Sequence, residues 1–180
     1  MNLTNDYSLL KMDKEGAWSL THKKEADIIS NIIYNIVGFN NIILDGTAGI
    51  GGNTISFCNK FKQVIAIEKD TERYNLLSEN TNNLNNLTLI NSTCLAHLSD
   101  KYDVIFLDPP WGGLDYKKYN KISLQLDNYN IKTIIDKVKS YSFKENRLCV
   151  LKLPFNYNMM EFCEYNYKVI YIRNYLIVLL

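Results

Sequence analysis

The stretch Ile42-Ile43-Leu44-Asp45-Gly46-Thr47-Ala48-Gly49-Ile50-Gly51-Gly52-Asn53-Thr54 decides the fold. A short apolar run ends at an acid, a turn rich in glycine follows, and a helical pattern begins directly after the turn. Glycine lets the backbone approach a ligand closely, and the N–H groups at a helix N-terminus attract polar groups of that ligand. The stretch therefore predicts a strand, a turn and a helix that together bind a nucleoside-bearing cofactor.

Two acids stand at the ends of predicted strands. Asp45 lies beside the glycine turn, where a carboxylate repels a pyrophosphate but suits the ammonium group of S-adenosylmethionine. Glu68 ends the second predicted strand, where an acid can bind both ribose hydroxyls of either cofactor type. A dinucleotide fingerprint that starts at Gly49 and Gly51 lacks its third glycine, because Thr54 stands there. Charge therefore favours the sulfonium cofactor, and a plain tight turn is the alternative.

The whole chain alternates short strand-like runs with longer helical patterns, which is typical of an α/β domain with a mostly parallel sheet. The predicted strands are Ile42–Asp45, Gln63–Glu68, Leu87–Asn91, Val104–Asp108, Leu148–Lys152, Lys168–Arg173 and Leu176–Leu179. The first predicted helix opens with Thr21 as its N-cap and carries a buried stripe of Ile28, Ile29, Ile32, Ile33, Ile36 and Val37. The other predicted helices are Gly52–Asn59, Thr71–Asn82, Ile131–Ser140 and Asn158–Tyr165.

The last two predicted strands are separated by little more than Asn174-Tyr175, so they must form a tight antiparallel hairpin at one edge of the sheet. Such a hairpin distinguishes the methyltransferase version of the doubly wound sheet from the version that binds dinucleotides. The sequence therefore predicts an α/β, Rossmann-like class I S-adenosylmethionine-dependent methyltransferase fold, with a seven-stranded, mostly parallel sheet and an antiparallel edge hairpin.

Composition limits the remaining possibilities. The 180 residues are 47% hydrophobic and contain no long linker, which predicts one globular domain. The net charge of +1 predicts no strong field toward a polyanion, so any nucleic-acid contact is expected to be local. The cysteines and histidines lack the spacing of zinc ligands, so no metal is expected. Without a signal peptide or a membrane span in the sequence, we expect an intracellular protein with reduced thiols and no membrane contact.

A second stretch, Asp108-Pro109-Pro110-Trp111-Gly112-Gly113, follows the apolar run Val104-Ile105-Phe106-Leu107. The switch point of such a sheet places this turn beside the cofactor. Backbone carbonyls held rigid by two prolines can accept the hydrogens of an exocyclic amine while the Trp111 ring stacks on the base, which is the chemistry of amino methylation. For a cationic 7-methylguanine the stacking gains about 1–2 kcal/mol of cation–π energy. A Pro-Pro turn beside a core tryptophan is the alternative.

Three stretches resemble, in order and spacing, the methyltransferase domain of trimethylguanosine synthases. They are Met12-Asp13-Lys14-Glu15-Gly16-Ala17-Trp18-Ser19-Leu20-Thr21, the glycine stretch from Asp45 to Thr54, and Asp108-Pro109-Pro110-Trp111-Gly112-Gly113-Leu114-Asp115-Tyr116. The resemblance implies an enzyme that uses S-adenosylmethionine, without a metal, to methylate the N2 amine of the 7-methylguanosine cap of RNA. Its product is 2,7-dimethyl- or 2,2,7-trimethylguanosine. The resemblance further implies an N-terminal lid segment over residues 1–20 and a methyltransferase domain over residues 21–180.

The resemblance also implies roles for individual residues. The catalytic residues are Asp108, Pro109, Pro110 and Trp111, with Trp111 stacked on the methylated guanine and Asp108 and Pro109 facing its N2 amine. The substrate-binding residues are Trp111, Trp18, Lys14 and Asn156. The cofactor-binding residues are Asp45, Thr47, Gly49, Gly51, Gly52, Asn53, Thr54, Glu68, Ser92 and Asp108. Within this set, Glu68 holds the ribose and the glycine turn wraps the methionine end.

The chain departs from the family pattern in its substrate and cofactor contacts. The family usually has a small polar residue where Asp108 stands, so a carboxylate can hold the amine and the number of methyl groups transferred stays open. Ser92 stands where the family tends to carry an acid for the adenine amine, and it accepts that hydrogen bond more weakly. Gly16-Ala17-Trp18-Ser19 replaces Gly-Trp-Phe-Ser, so one aromatic residue of the lid is missing. Lys152-Leu153-Pro154-Phe155-Asn156 replaces Leu-Pro-Arg-Asn, which moves a basic charge to before the proline.

Several lysines can contact the cap triphosphate, although each is more often a solvated surface charge. They are Lys11, Lys14, Lys23, Lys24, Lys117, Lys118 and Lys121. The sequence favours two roles of Trp18 about equally, namely part of a lid and packing in the core. Two other functions stay open, namely amino methylation of adenine, cytosine or internal guanine in RNA or DNA, and cap binding by an inactive protein with a cofactor fold. We expect a monomer that acts in the cytoplasm or nucleus.

Overall fold

The computed structural model of the protein describes residues 7–141 and 147–180, and only the backbone of Leu114. The helices are α1 (Lys14–Ser19), α2 (Lys23–Val37), α3 (Gly52–Cys58), α4 (Thr71–Asn80) and α5 (Ile131–Ser140). The strands are β1 (Ile42–Asp45), β2 (Gln63–Glu68), β3 (Leu87–Asn91), β4 (Val104–Leu107), β5 (Gln125–Leu126), β6 (Tyr129–Asn130), β7 (Leu148–Pro154), β8 (Lys168–Ile172) and β9 (Tyr175–Leu179). Short 3-10 turns lie at Tyr7–Leu9, Cys94–His97, Gly113–Lys118 and Met159–Phe162.

Seven of these strands form one sheet in the order β3-β2-β1-β4-β7-β9-β8. The strands from β3 to β7 in this order are parallel, whereas β9 runs antiparallel to both β7 and β8. The predicted seven-stranded, mostly parallel sheet with its antiparallel edge hairpin is confirmed. The chain builds β2 and β3 on one side of β1 and then β4 and β7 on the other, so the crevice between β1 and β4 is the switch point of the sheet.

Both faces of the sheet are covered, because alternate residues of the central strands enter two different cores. On β1, Ile43 packs in the core beneath α2 and α3, whereas Leu44 packs in the core beneath α5. On β4, Phe106 and Leu107 divide between the same two cores, and every residue of this strand is fully buried. A parallel strand that is buried on both faces needs an unbroken apolar sequence, which is why these runs identify the strands so clearly.

The start of α2 differs from the prediction. Thr21 is not its N-cap, because His22 occupies that position and makes no side-chain capping bond. The Thr21 hydroxyl instead accepts hydrogen bonds from Asn53 Nδ2 at 3.1 Å and from Lys152 Nζ at 2.9 Å. Tertiary contacts of the residue have therefore replaced the local cap that its sequence position favours.

The predicted helix at Asn158–Tyr165 is wrong. Only a single 3-10 turn forms there, at Met159–Phe162, and Phe162 is its one buried residue. An isolated turn with a single apolar anchor does not offset the cost of nucleating an α-helix. The helices α3 and α4 also end slightly earlier than predicted, at Cys58 and Asn80.

Two strand ends move relative to the prediction. The strand β4 ends at Leu107, because the Asp108 N–H donates to Thr47 Oγ1 at 2.8 Å instead of joining the ladder. The strand β7 continues beyond Lys152 to Pro154, because β9 pairs with its residues Val150 to Pro154. Both changes lie at the carboxyl edge of the sheet, next to the switch point.

Two tight hairpins use residues in the left-handed region. The edge hairpin turns at Arg173-Asn174, one residue before the predicted position, and Arg173 has a φ of 47°. The hairpin β5–β6 was not predicted, and its turn consists of Asp127 and Asn128 with φ values of 50° and 66°. Two consecutive left-handed residues match the twist of paired strands, and Asp and Asn tolerate them better than most side chains.

Candidate active site

A cavity of about 350 Å³ opens at the switch point, between the glycine turn, the ends of β2 and β4, the segment before α2 and the hairpin β5–β6. The predicted site residues that line it are Thr47, Gly49, Gly52, Asn53, Glu68, Ser92, Asp108 and Pro110. The predicted site residues outside its lining are Asp45, Gly51, Thr54, Pro109, Trp111, Trp18, Lys14 and Asn156. The fold thus brings most of the predicted cofactor residues to one cavity and leaves the predicted substrate residues around it.

The glycine turn is shaped by conformations and contacts that side chains would prevent. Gly49 and Gly51 have φ values of 56° and 106°. A Cβ atom on Gly52 would lie 2.8 Å from the carbonyl oxygen of Thr21, closer than such atoms approach. The Gly49 N–H donates to Glu68 Oε2 at 2.9 Å, which ties the turn to the end of β2. The turn is therefore held against both neighbouring segments before any ligand binds.

Glu68 is buried at the end of β2 and lines the cavity. Its Oε2 accepts the Gly49 N–H, and its Oε1 accepts the Asp70 N–H at 2.9 Å. The Arg73 guanidinium lies 3.7 Å from Oε1. Since a carboxylate offers about four acceptor positions, Glu68 keeps capacity for ligand hydroxyls after these contacts.

Asp45 lies behind the cavity wall and is completely buried. Its Oδ2 accepts a hydrogen bond from the Thr54 hydroxyl at 2.7 Å. Burial raises the pKa of Asp45 to about 7, the nearby carboxylates of Asp108 and Glu68 act in the same direction, and the Thr54 hydrogen bond opposes them. Asp45 therefore has no direct contact with a ligand in the cavity. It can affect such a ligand by stabilising the glycine turn or by the electrostatic effect of its charge.

Asn53 supplies an acceptor that the protein itself does not use. Its Nδ2 donates to the Thr21 hydroxyl, whereas its Oδ1 is buried and has no hydrogen-bond partner among the described residues. A buried carbonyl oxygen without a partner is costly, and a donor on a ligand removes that cost. Asn53 also lines the cavity, so an ammonium or hydroxyl group of a ligand that reached this oxygen would satisfy it.

Asp108 carries the carboxylate at the end of β4. Its Oδ2 accepts a hydrogen bond from Lys152 Nζ at 2.6 Å. Burial raises the pKa of Asp108, and the charge and hydrogen bond of Lys152 oppose this effect. The Trp111 indole lies near enough to favour the carboxylate, although its N–H makes no full hydrogen bond to a described residue.

Trp111 follows the cavity residue Pro110, is half-buried and packs against both cores of the sheet. The ring of Tyr116 meets it edge-on, with centroids 5.3 Å apart and an interplanar angle of 84°. Lys152 Nζ lies over the indole at 5.2 Å from its centroid. The indole is therefore neither free in solvent nor sealed in the core, and a cation already uses part of its surface.

The other predicted substrate residues have different surroundings. Asn156 is buried, and its Nδ2 donates to the carbonyl oxygens of Tyr116 at 2.8 Å and Tyr119 at 2.7 Å. It therefore holds the loop that follows Trp111. Trp18 is 58% exposed on α1, and Lys14 is exposed at the start of the same helix.

The N-terminal segment forms one wall of the cavity through Glu15, Ser19 and Leu20. Its helix α1 is capped by Asp13, whose Oδ1 accepts the Gly16 N–H at 2.8 Å. Glu15 Oε2 lies 2.6 Å from Arg73 Nη1, which connects α1 to α4. These residues lie within the lid segment predicted for residues 1–20, although Lys14 and Trp18, the residues predicted to act there, do not line the cavity.

The hairpin β5–β6 closes the far end of the cavity, beside Ser92. Its Asp127 side chain accepts hydrogen bonds from Lys69 Nζ at 2.6 Å and from the Thr93 hydroxyl. Leu126, Asp127 and Lys69 all line the cavity. The Asp127-Asn128 pair was a usable hairpin signal in the sequence, since both residue types favour such a turn.

Among the described residues 7–141 and 147–180, no group of three or more His, Cys, Asp or Glu side chains is arranged to hold a metal ion. No helix in the same ranges is long and apolar enough to cross a membrane.

Comparison with known proteins gives both a family and relatives. The model of the RNA cap guanine-N2 methyltransferase family matches residues 40–178. An uncharacterized protein of Acanthamoeba polyphaga mimivirus is 34% identical over 68% of this chain and 50% of its own length. The trimethylguanosine synthase of Schizosaccharomyces pombe is 30% identical over 67% of this chain and 56% of its own length. The chain thus spans about half the length of these curated relatives.

Solved structures share the fold at low sequence identity. Precorrin-6y C5,15-methyltransferase of Geobacter metallireducens has a TM-score of 0.65 at 17% identity and matches 97% of this chain and 94% of its own. A putative RNA methyltransferase of Pyrococcus horikoshii has a TM-score of 0.61 at 15% identity, with 98% and 94% matched. The shared architecture is that of class I methyltransferases, as predicted. This chain belongs to the RNA cap guanine-N2 methyltransferase family.

Proposed function

We propose that the protein transfers a methyl group from S-adenosylmethionine to the N2 amine of a 7-methylguanosine cap on RNA, which yields 2,7-dimethyl- or 2,2,7-trimethylguanosine. The observation that carries this proposal is the turn from Asp108 to Trp111, which borders the cavity at the switch point of the sheet. The family match over residues 40–178 supports the choice of substrate.

The cavity residues fit S-adenosylmethionine, which supplies an electrophilic methyl group on a sulfonium when it is bound. Glu68 has acceptor capacity for the ribose hydroxyls. The unpartnered Oδ1 of Asn53 favours the methionine ammonium group, and so does Asp45 when its carboxyl group is ionised. Ser92 and the hairpin residue Asp127 stand at the far end, where an adenine amine needs an acceptor. Gly51 and Thr54 support the turn from behind.

The residues around Trp111 hold and orient the base. The indole stacks on the 7-methylguanine, and the carboxylate of Asp108 and the carbonyl of Pro109 accept the hydrogens of its N2 amine. Since the nitrogen lone pair is delocalised into the ring, orientation toward the methyl carbon supplies much of the rate. Asp108 also accepts the proton that the amine loses when its nitrogen gains a methyl group. Lys14, Trp18 and Asn156 contribute to the cap surface or to the loop behind it.

We further propose that residues 1–20 act as a lid segment on a methyltransferase domain formed by residues 21–180. The described part of this segment walls the cavity and is joined to α4 by the ion pair of Glu15 with Arg73. Capped RNA is the proposed partner, with the protein as a monomer in the cytoplasm or nucleus.

One incubation tests the substrate. The purified protein is mixed with 7-methyl-GTP and S-adenosylmethionine that carries an isotopic label in its methyl group, and the nucleoside product is identified by mass spectrometry. We expect label on N2 and a much slower reaction with unmethylated GTP, because a neutral base loses the cation–π contribution of about 1–2 kcal/mol. Equal rates with the two nucleotides contradict the dependence on N7 methylation.

Two outcomes point to the other functions. Label in uncapped RNA or DNA at the same rate indicates an enzyme for adenine, cytosine or internal guanine amines. If no substrate is labelled, calorimetry with S-adenosylhomocysteine decides between a wrong substrate and an inactive cap-binding protein. An inactive protein with a vestigial cofactor fold gives no heat of binding.

A further inference from the structure

Lys152 lies on β7, directly beside the turn from Asp108 to Trp111. The proposed function assigns no role to this residue. Only 7% of the residue is exposed. A lysine is almost never buried in this way unless it is paired, because removing its charge from water is costly. The sequence indicated only that a basic charge stands before Pro154, and it predicted no role for Lys152.

The ammonium group of Lys152 contacts four residues from three parts of the fold. It donates to Asp108 Oδ2 at 2.6 Å and to Thr21 Oγ1 at 2.9 Å. It lies 5.2 Å from the ring centroid of Trp111 and 5.2 Å from that of Tyr175 on β9. Two oxygen acceptors and two aromatic faces therefore fix its position, and through it the position of the Asp108 carboxylate.

We propose that Lys152 is a positioning residue for amino methylation, which keeps the Asp108 carboxylate charged and oriented to accept the hydrogens of the substrate amine. The proposal rests on the proposed function only as far as methyl transfer to an exocyclic amine. It is independent of whether that amine belongs to a cap.

The charges around Asp108 explain why a cation is needed there. Burial raises the pKa of Asp108, and Lys152 opposes this effect by its charge and its hydrogen bond. Asp45 on β1 adds a carboxyl group on one side, and Glu25 on α2 adds another near Tyr175. The pKa of Tyr175 is itself raised, mainly by burial, so its phenol stays neutral. Without Lys152, burial favours protonated Asp108, and the Trp111 indole is left to oppose it.

Protonation of Asp108 would remove an acceptor from the site. A carboxylate can accept both hydrogens of an amine, whereas a carboxylic acid has one oxygen that donates and so competes with the substrate. Activity requires a pH above the pKa of Asp108, and loss of Lys152 moves that pKa upward, so the acid side of the pH profile moves to higher pH.

The first test is the dependence of kcat on pH in Lys152→Met, which keeps the length of the side chain and removes its charge. For each unit by which the pKa of Asp108 rises above neutral pH, kcat at pH 7 falls about tenfold, and it recovers toward the wild-type value near pH 9. A merely structural role lowers kcat by the same factor at every pH, and that result overturns the proposal. Lys132→Met on α5 is the matched control, because it removes the exposed pairs with Asp136 and Glu164.

The second test needs no turnover and so separates this proposal from the substrate assignment. Aspartate carboxyl groups are labelled with carbon-13, and the resonance of Asp108 is identified by its absence in Asp108→Asn. We expect Asp108 to titrate at higher pH in Lys152→Met than in the wild type. If Lys152→Met does not fold, Thr21→Val loses the second acceptor of the ammonium group, and we expect a smaller shift in the same direction. An unchanged titration midpoint overturns the proposal.

Discussion

Asp45 ends β1, and Asp108 directly follows the neighbouring parallel strand β4. Asp45 is fully buried and Asp108 is partly buried, but the larger difference lies in their partners. Asp108 has the ammonium group of Lys152 against it, whereas Asp45 accepts hydrogen bonds from two neutral groups, the Thr54 hydroxyl and the Thr47 backbone. Burial raises the pKa of both carboxyl groups, and it brings that of Asp45 to about 7. The same position in the fold thus gives one carboxyl group that is easily protonated and one whose charge is supported. The difference lies in a residue that belongs to neither strand.

Removal of the supported charge should have the largest effect on catalysis. We expect Asp108→Asn to lower kcat/KM by a factor between about 100 and 10,000, the range for loss of a positioned proton acceptor. The variant also leaves Lys152 buried without its carboxylate, so its melting temperature should fall. Asp136→Asn, which breaks an exposed lysine pair on α5, is the control. Activity within threefold of wild type would mean that the carboxylate does not meet the amine.

Removal of the Asp45 carboxyl group should change the free energy of unfolding rather than catalysis. Because folding raises the pKa of Asp45 from 3.8 to about 7, the folded state binds this proton more tightly than the unfolded state. The stability that proton binding at Asp45 contributes is fully present below about pH 4 and is lost as the pH rises through about 7. Relative to wild type, Asp45→Asn should therefore gain up to about 4 kcal/mol in unfolding free energy between pH 4 and pH 8.

Urea denaturation of both proteins across this pH range measures the gain. A constant difference in unfolding free energy between Asp45→Asn and the wild type would show that the carboxyl group does not titrate in this interval.

The Trp111 indole lies beside both Asp108 and Lys152, so its removal also tests the surroundings of Asp108. Base–aromatic stacking contributes about 1–3 kcal/mol, so Trp111→Ala should weaken activity toward 7-methyl-GTP by about tenfold to a hundredfold or more. Affinity for S-adenosylhomocysteine, measured by calorimetry, should remain near the wild-type value. Loss of both together would assign the indole to folding rather than to the substrate.

The smallest effect concerns the single hydroxyl that Asp45 uses. Thr54→Val removes the donor to Asp45 Oδ2 without a change in shape, so the pKa of Asp45 should rise further. We expect a loss of about 1–2 kcal/mol at pH 8, where the carboxylate needs the donor most, and a smaller loss at pH 5. Thermal unfolding at the two pH values gives the comparison. An equal loss at both would mean that packing alone explains the change.

The sheet could be predicted because the information for it is local. The apolar runs at β1, β2, β3 and β4 and the short link between the last two strands identify the architecture without any distant contact. The glycine turn and Glu68 were also assigned from neighbouring residues, and they do line one cavity. Features of this kind follow from the pattern of a few consecutive side chains.

The partners of the site residues could not be predicted, because they come from distant positions. Lys152 and Asp108 are 44 residues apart, and nothing at either position indicates the other. Thr21 has the type and place of an N-cap, yet its hydroxyl binds Asn53 and Lys152. The stretch Asn158–Tyr165 fits a helical pattern, but its single buried residue supports only one turn. In each case tertiary packing outweighed a local preference.

The absence of a side chain at Gly16 links the N-terminal segment to the glycine turn. A Cβ atom there would lie 2.9 Å from the Ile50 side chain, so α1 is seated directly on the turn. A side chain at position 16 would force either α1 or Ile50 to move, so the N-terminal wall of the cavity depends on a residue that has no side chain.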